Sequence, residues 1–189
     1  MSRLIADFFV SLDGFASREQ EGQRWLFDHF EPKLLGYMQQ VLLEPQTLVM
    51  GRRSYAVMAD YWMASSDPQA RPMNDHPKLV FSTTLEEPLA WTNARLARRP
   101  LVDEIRALGR AGGTIRTIGS LSLVKQLIDL ELVDRLRLLV FPEILGTRGT
   151  QPIYRDHPNL QLKLVGHSQV GEGVLCLEYE PRRIGRRAS

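Results

Sequence analysis

The stretch GGTIRTIGSLSLVKQLIDLELVDRLRLLVFPEILG, residues 112–146, sets a short strand, a glycine turn, an amphipathic helix and a second strand in succession. Thr114, Ile115, Thr117 and Ile118 supply the β-branched content of a strand, and Gly119 permits a tight turn. Leu121, Val124, Leu127 and Ile128 then recur at helical spacing. Gly119 and Ser120 are thereby expected at a helix N-terminus. There, unpaired backbone N–H groups and the positive end of the helix dipole favour an anion such as a pyrophosphate. A plain strand-turn-helix connection with Ser120 as N-cap accounts for the same residues, so the ligand stays open at this point.

Working outward, residues 4–10 read as a first strand closed by the turn Ser11-Leu12-Asp13-Gly14. Pro32 suits a first helical turn, and Leu34, Leu35, Met38, Val41 and Leu42 give a helical stripe ending before Pro45. Residues 47–50 make a short buried strand, and Gly51 opens a second strand-to-helix junction, GRRSYAVM. An irregular surface loop is expected from Tyr61 and Trp62 through the Ser-, Asp-, Pro- and Asn-rich segment to Pro77. Residues 78–82 form a strand, 101–108 a short helix, and 135–141 a strand. Residues 160–169 and 174–179 flank Gly171-Glu172-Gly173 as a terminal hairpin. Strands alternating with helices and ending in a hairpin imply an α/β domain: a central mixed, mostly parallel sheet flanked by helices, with an antiparallel C-terminal hairpin.

The composition, 43% hydrophobic and 24% charged over 189 residues, fits one globular domain, placed at residues 1–181, with a basic tail over 182–189 expected to be disordered. A net charge of +2 gives no nucleic-acid footprint. No apolar run is long enough to span a bilayer, and the N-terminus reads directly into a strand, so a cytoplasmic protein is expected. The single Cys176 lies between Leu175 and Leu177 and reads as a buried strand thiol. His29, His76, His157 and His167 fall in no ligand spacing, and no metal site is expected.

Ligands of such sheets bind beyond the carboxyl ends of the strands. Three ends carry suitable groups: Gly51-Arg52-Arg53-Ser54, Ser82-Thr83-Thr84 and Gly119-Ser120-Leu121-Ser122. Two helix N-termini suit the two phosphates of a dinucleotide. Arg52 or Arg53 beside Ser82 and Thr83 suits a further phosphate, which points to NADPH over NADH. A solvated helix start is the other reading of the two arginines. G-x-G-x-x-G opening a helix and the P-loop pattern are both absent.

The ordered set Ser11-Leu12-Asp13-Gly14, Gly51-Arg52-Arg53-Ser54-Tyr55, Ser82-Thr83-Thr84-Leu85, Trp91, Gly119-Ser120, Val133-Asp134 with Leu136, and Pro142 through Leu145-Gly146 resembles dihydrofolate-reductase-like proteins. The closer branch is the reductase domain of bacterial riboflavin biosynthesis. The resemblance runs from Leu4 to Tyr179 and implies a three-layer dihydrofolate-reductase-like fold that binds NADPH. It implies cofactor contacts from Arg52, Ser54, Ser82, Thr83, Gly119, Ser120 and Leu121, and places Asp13 by the nicotinamide and substrate pocket. Dihydrofolate reductases carry a carboxylate on the first helix; here Leu34-Leu35-Gly36-Tyr37 is not acidic, which argues against folate as substrate.

The expected activity is therefore NADPH-dependent hydride transfer to a small planar heterocycle, pterin-like or aminopyrimidine-like. Asp13 is the candidate for substrate orientation or proton relay, or else a turn-forming side chain. Trp25, with Phe27 and Phe30, is a candidate for stacking on the substrate, or else core; Asp28 and Glu31 are candidates to reach it. Lys33, Arg71 and Arg148 are loose candidates for a substrate phosphate. A homodimer is expected, with Trp25, Leu26 and the terminal hairpin as contact surface. The alternative is a regulatory nucleotide-binding protein of the same fold.

Overall fold

The computed structural model describes residues 3–155 and 159–182. Eight strands form one sheet in the order β5-β4-β3-β6-β1-β7-β10-β9. These are β1 (Arg3–Ser11), β3 (Gln46–Gly51), β4 (Lys78–Phe81), β5 (Ala94–Leu96), β6 (Thr114–Thr117), β7 (Arg135–Phe141), β9 (Gln161–Gln169) and β10 (Leu175–Arg182). The six strands from β5 to β7 are parallel, and β10 and β9 add an antiparallel edge. A separate ribbon pairs β2 (Phe15–Arg18) with β8 (Gly149–Pro152). Arg182 pairs with Gln161 at the end of β10; the rest of the expected tail, and His157, lie outside the described residues.

Alternation along each strand sorts side chains into two helical layers. Leu4, Ala6, Phe8 and Val10 of β1 pack with Ile105 of α4 (Leu101–Ala111) and with Leu123, Val124, Leu127 and Ile128 of α5 (Leu121–Asp129). On the other face, Leu139 and Phe141 pack with Trp25, Leu26 and Leu34, the last on α1 (Pro32–Leu43). Beside them Leu48, Met50 and Val80 meet Tyr55 and Ala59 of α2 (Arg52–Ala64) and Met73 of α3 (Ala70–Asp75).

The segment expected to loop from Tyr61 onward is instead helical: α2 continues to Ala64 and α3 follows. The buried stripe of α2 is Tyr55, Ala59 and half-buried Trp62, spaced as one helix face but poor in aliphatics. Strand β5 has only three residues, and its place comes from pairing Ala94 with Lys78 and Leu96 with Val80. The amino end of this half of the sheet is tied by Lys78, whose buried ammonium donates to the carbonyls of Asn74 (2.9 Å), His76 (2.8 Å) and Thr92 (2.9 Å) and sits over the Trp91 ring. Asp134 ties the amino end of β1 by accepting the Leu4 N–H at 2.7 Å.

Trp25 and Leu26, expected as dimer contacts, are 1% and 3% exposed within the chain itself, because the turn that carries them folds back onto β7. Leu162, Leu164 and Leu175 of the terminal hairpin are exposed.

Candidate functional site

The strand order makes β4, β3 and β6 neighbours, so the three segments picked out at their carboxyl ends lie side by side. Helix α2 begins directly after Gly51 and α5 directly after Ser120. The two junctions close on each other. A Cβ at Gly51 would lie 2.6 Å from Ser120 Oγ and 3.1 Å from Ser120 Cβ, while one at Gly119 would lie 2.7 Å from Ser54 Oγ. Gly119 also has φ +65°, a conformation glycine adopts without strain. Ser120, at φ +66°, does not act as a side-chain cap; its hydroxyl faces that of Ser122 at 3.2 Å. Neither helix has a side-chain N-cap or an acidic residue in its first turn, which leaves N–H donors open on both.

Arg52 and Arg53 are exposed on the first turn of α2 and make no ion pair among the described residues. Two unpaired cations there oppose the helix dipole, an arrangement an anion would relieve. Ser82 Oγ accepts the N–H groups of Thr84 (3.1 Å) and Leu85 (3.0 Å), forming the turn while its own proton stays available. Thr83 is exposed beside it, and Leu121 is half-buried at the start of α5. Exposed arginines, hydroxyls and uncapped N–H groups at adjacent strand ends suit the phosphates of a nucleotide.

The turn after β1 is tied to the loop after β7. Ser11 Oγ donates to Asp13 Oδ1 at 2.7 Å and accepts the Phe15 N–H at 2.9 Å. The Asp13 carboxylate accepts the N–H groups of Leu145 (3.1 Å) and Gly146 (2.8 Å), and the Leu12 N–H donates to the Glu143 carbonyl at 2.8 Å. Desolvation pushes the Asp13 carboxyl up, but Ser11, Gly146 and Leu145 outweigh it and hold it below its ordinary value. Asp13 is thus an ionised anchor between two loops. Leu12, Ile144 and Tyr154 expose apolar surface around it, an apolar rim the sequence reading missed.

Trp25 stands edge-on to Phe141, ring centres 5.7 Å apart, and offers no free face for stacking; this corrects its expected substrate role. Asp28 is exposed and has no side-chain partner among the described residues. Glu31 is the N-cap of α1, accepting from Lys33 and Leu34, so it is committed to the helix. Arg148 pairs with Glu21 and Arg71 with Asp75. Among the described residues no group of three or more His, Cys, Asp or Glu could hold a metal ion, and no helix is long and apolar enough to cross a membrane.

Sequence reading also missed a polar layer beside the site, on the sheet face that carries α1. Asp7 of β1 accepts Arg137 Nε and Nη2 and Arg116 Nη1, each at 2.6 Å. Its own N–H donates to Thr117 Oγ1 at 3.1 Å, two residues before Gly119. Burial pushes the Asp7 carboxyl up to about 6, with Arg137 pulling the other way. The signal available was a charge at an inward position of each of three strands, LIADFFV, TIRT and RLRLLVF.

The model of the RibD C-terminal domain matches residues 2–176. The chain is 27% identical over 184 residues to the uncharacterized protein YyaP of Bacillus subtilis (strain 168), covering 94% of each chain. A putative riboflavin biosynthesis protein from Shewanella sp. PV-4 shares the fold with a TM-score of 0.77 and 22% identity, over 96% of this chain and 99% of that one. A dihydrofolate reductase of Enterococcus faecalis, solved in complex with NADP(H), superposes with a TM-score of 0.62 at 16% identity, over 95% and 96%.

Proposed function

Because this chain belongs to the RibD C-terminal domain family, we propose that it is an NADPH-dependent reductase that delivers a hydride to a small planar heterocycle of pterin or aminopyrimidine type. The observation that carries this reading is the pair of uncapped helix N-termini, closed against each other at neighbouring strand ends, with Arg52 and Arg53 unpaired beside them. Gly51, Ser54, Gly119, Ser120 and Leu121 are assigned to the phosphate chain. Arg52, Arg53, Ser82 and Thr83 are assigned to the additional phosphate. The bound cofactor supplies the hydride, and the protein supplies orientation and exclusion of water.

Asp13 belongs to the positioning machinery in this reading. Held ionised by Leu145 and Gly146, it fixes the two loops that would border the substrate. A regulatory nucleotide-binding protein is the second reading, favoured by one observation: α1 has no acid in the Leu34-Leu35-Gly36-Tyr37 turn, and Glu31 is spent on its cap.

A paired titration with NADPH and NADH, following nicotinamide fluorescence and melting temperature, tests the cofactor assignment. Ligand at a hundredfold excess over Kd stabilises the native state by about 2.7 kcal/mol. NADPH-selective binding is expected. No shift with either nucleotide at millimolar concentration refutes the assignment. NADPH oxidation with a pterin or aminopyrimidine, lost in Asp13→Ala, decides for the reductase over the regulatory reading.

A further inference from the structure

Arg116 of β6 and Arg137 of β7 are each 6% exposed, yet they share a single carboxylate, that of Asp7. Arg116 Nε is spent on Gln46 Oε1, and the Gln46 amide in turn donates to the Val41 carbonyl at 2.8 Å. The Tyr37 hydroxyl of α1 faces the Cys176 thiol at 3.2 Å. Glu178, opposite Arg137 on β10, turns to Arg135, as does Glu180. Arg116 Nη2 and Arg137 Nη1 therefore have no acceptor among the described residues. Neither is sealed from solvent, since among the described residues the enclosed unpartnered side-chain nitrogens are Trp25 Nε1, Trp62 Nε1 and Arg135 Nε. Two buried guanidiniums against one carboxylate give this cluster a local excess of positive charge, since the cross-strand carboxylate, Glu178, is turned to Arg135, and they leave two amino groups open to an incoming acceptor.

The position matters as much as the charge. Asp7 reaches Thr117 on β6, two residues ahead of the Gly119-Ser120 junction. The cluster thus lies on the strands next to the phosphate-binding ends, on the sheet face that carries Tyr37 and α1. Resting on the reductase reading for its neighbour, we propose that Arg116 and Arg137 bind a planar oxyanion of the substrate, a ring carboxylate or an ionised ring imide. Arg116 Nη2 and Arg137 Nη1 offer such an oxyanion one charge-assisted donor from each guanidinium. The substrate is then an acid, and the charge that α1 lacks is replaced by one of opposite sign on the sheet.

The test uses shape-matched pairs with and without the charge: benzoate against benzamide for a carboxylate and, at mildly alkaline pH, 6-azauracil, ionised at its ring imide, against neutral uracil. Binding is followed by calorimetry with and without saturating NADPH. The charged member of at least one pair is expected to bind roughly tenfold tighter or more, the worth of a hydrogen bond to a charged group. Arg116→Gln takes the cluster to neutrality and should erase the preference. Asp7→Asn raises its charge and should enlarge the preference, a reversal that a purely structural role does not give. Both variants should keep wild-type NADPH affinity by nicotinamide fluorescence, with circular dichroism reporting the fold.

Equal binding within both wild-type pairs, or no binding of any probe, overturns the proposal without need of a variant. A preference that neither folded variant moves also overturns it. Charge preference without NADPH binding upholds the oxyanion site and refutes the reductase reading, and NADPH binding without charge preference refutes the oxyanion site while the cofactor assignment stands.

Discussion

Gly51→Ala tests the contact on which the candidate cofactor site rests. The backbone at Gly51 has φ −89°, which alanine adopts freely, so the substitution acts through space alone. Its Cβ would sit 2.6 Å from Ser120 Oγ and 3.1 Å from Ser120 Cβ. The hydroxyl can rotate away, but the Cβ is fixed to a backbone already at φ +66°, so the β6–α5 junction must shift. Overpacking of this kind costs typically about 1–3 kcal/mol. For a chain of this size, about 2 kcal/mol lowers Tm by roughly 4–8 °C.

Ser120→Gly removes the obstructing side chain. By itself it is expected to be near neutral, since relief of positive-φ strain and the extra entropy of an unfolded glycine are each about 1 kcal/mol and opposite in sign. In the Ser120→Gly background, Gly51→Ala should cost less than in wild type by about 1 kcal/mol or more, read as a coupling energy from four thermal or urea melts. NADPH affinity should fall in Gly51→Ala, because displacing one helix N-terminus separates the two anion-facing ends. Additive melts would show that the junctions do not touch and would remove the geometric basis of the site.

Arg52→Ala should weaken NADPH by roughly tenfold or more, with little effect on NADH, as expected when a charge-assisted hydrogen bond to a phosphate is lost; equal weakening of both would show that Arg52 does not read the extra phosphate. Lys78→Met leaves the Asn74, His76 and Thr92 carbonyls without their shared donor and should cost about 2–4 kcal/mol in urea denaturation, with NADPH affinity unchanged in the folded protein. Burial pushes the Glu104 carboxyl up, but Arg95, Arg99 and the Arg98 N–H overcome this and hold it at about 2, well below its ordinary value. A depressed carboxyl stabilises the fold above its unfolded pKa, so this contribution, about 2 kcal/mol after allowing for the half-exposed arginines, should fade as pH falls from about 5 towards 2. Glu104→Gln should be destabilised at pH 7 and show a flatter pH profile over that window. An unchanged acid slope in the variant would refute the assignment.

Periodicity carried most of the parallel part of this fold, where strands and helices hold aliphatic residues at spacing that only one element satisfies. β7 emerges where expected, at Arg135–Phe141, and α5 buries the expected Val124, Leu127 and Ile128, with Leu123 in place of Leu121, which is half-buried. Elements held by pairing alone left little local trace. β5 has three residues, and β2 and β8 exist through each other, with Phe15 opposite Pro152. Within the site, local signals placed Gly51, Ser82 and Gly119 at strand ends, and strand order brought those ends together. Asp13 was legible as a turn residue but not as an anchor for Leu145, 132 residues away. Trp25 could not be told from a stacking residue, since an aromatic is equally at home in a core or a pocket. The Asp7, Arg116 and Arg137 cluster was hidden for the opposite reason: each looks like a solvated charge until the sheet places the three within reach.

Lys78 and Asp134 fasten the amino ends of the strands with the chain's own carbonyl and amide groups, whereas the carboxyl ends leave donors facing outward. The molecule therefore has a sewn hem and an open mouth. Loops at the mouth can be exchanged, lengthened or recharged by mutation while the seam that registers the strands stays intact, so descendants of one scaffold can drift towards new substrates without first having to learn to fold again.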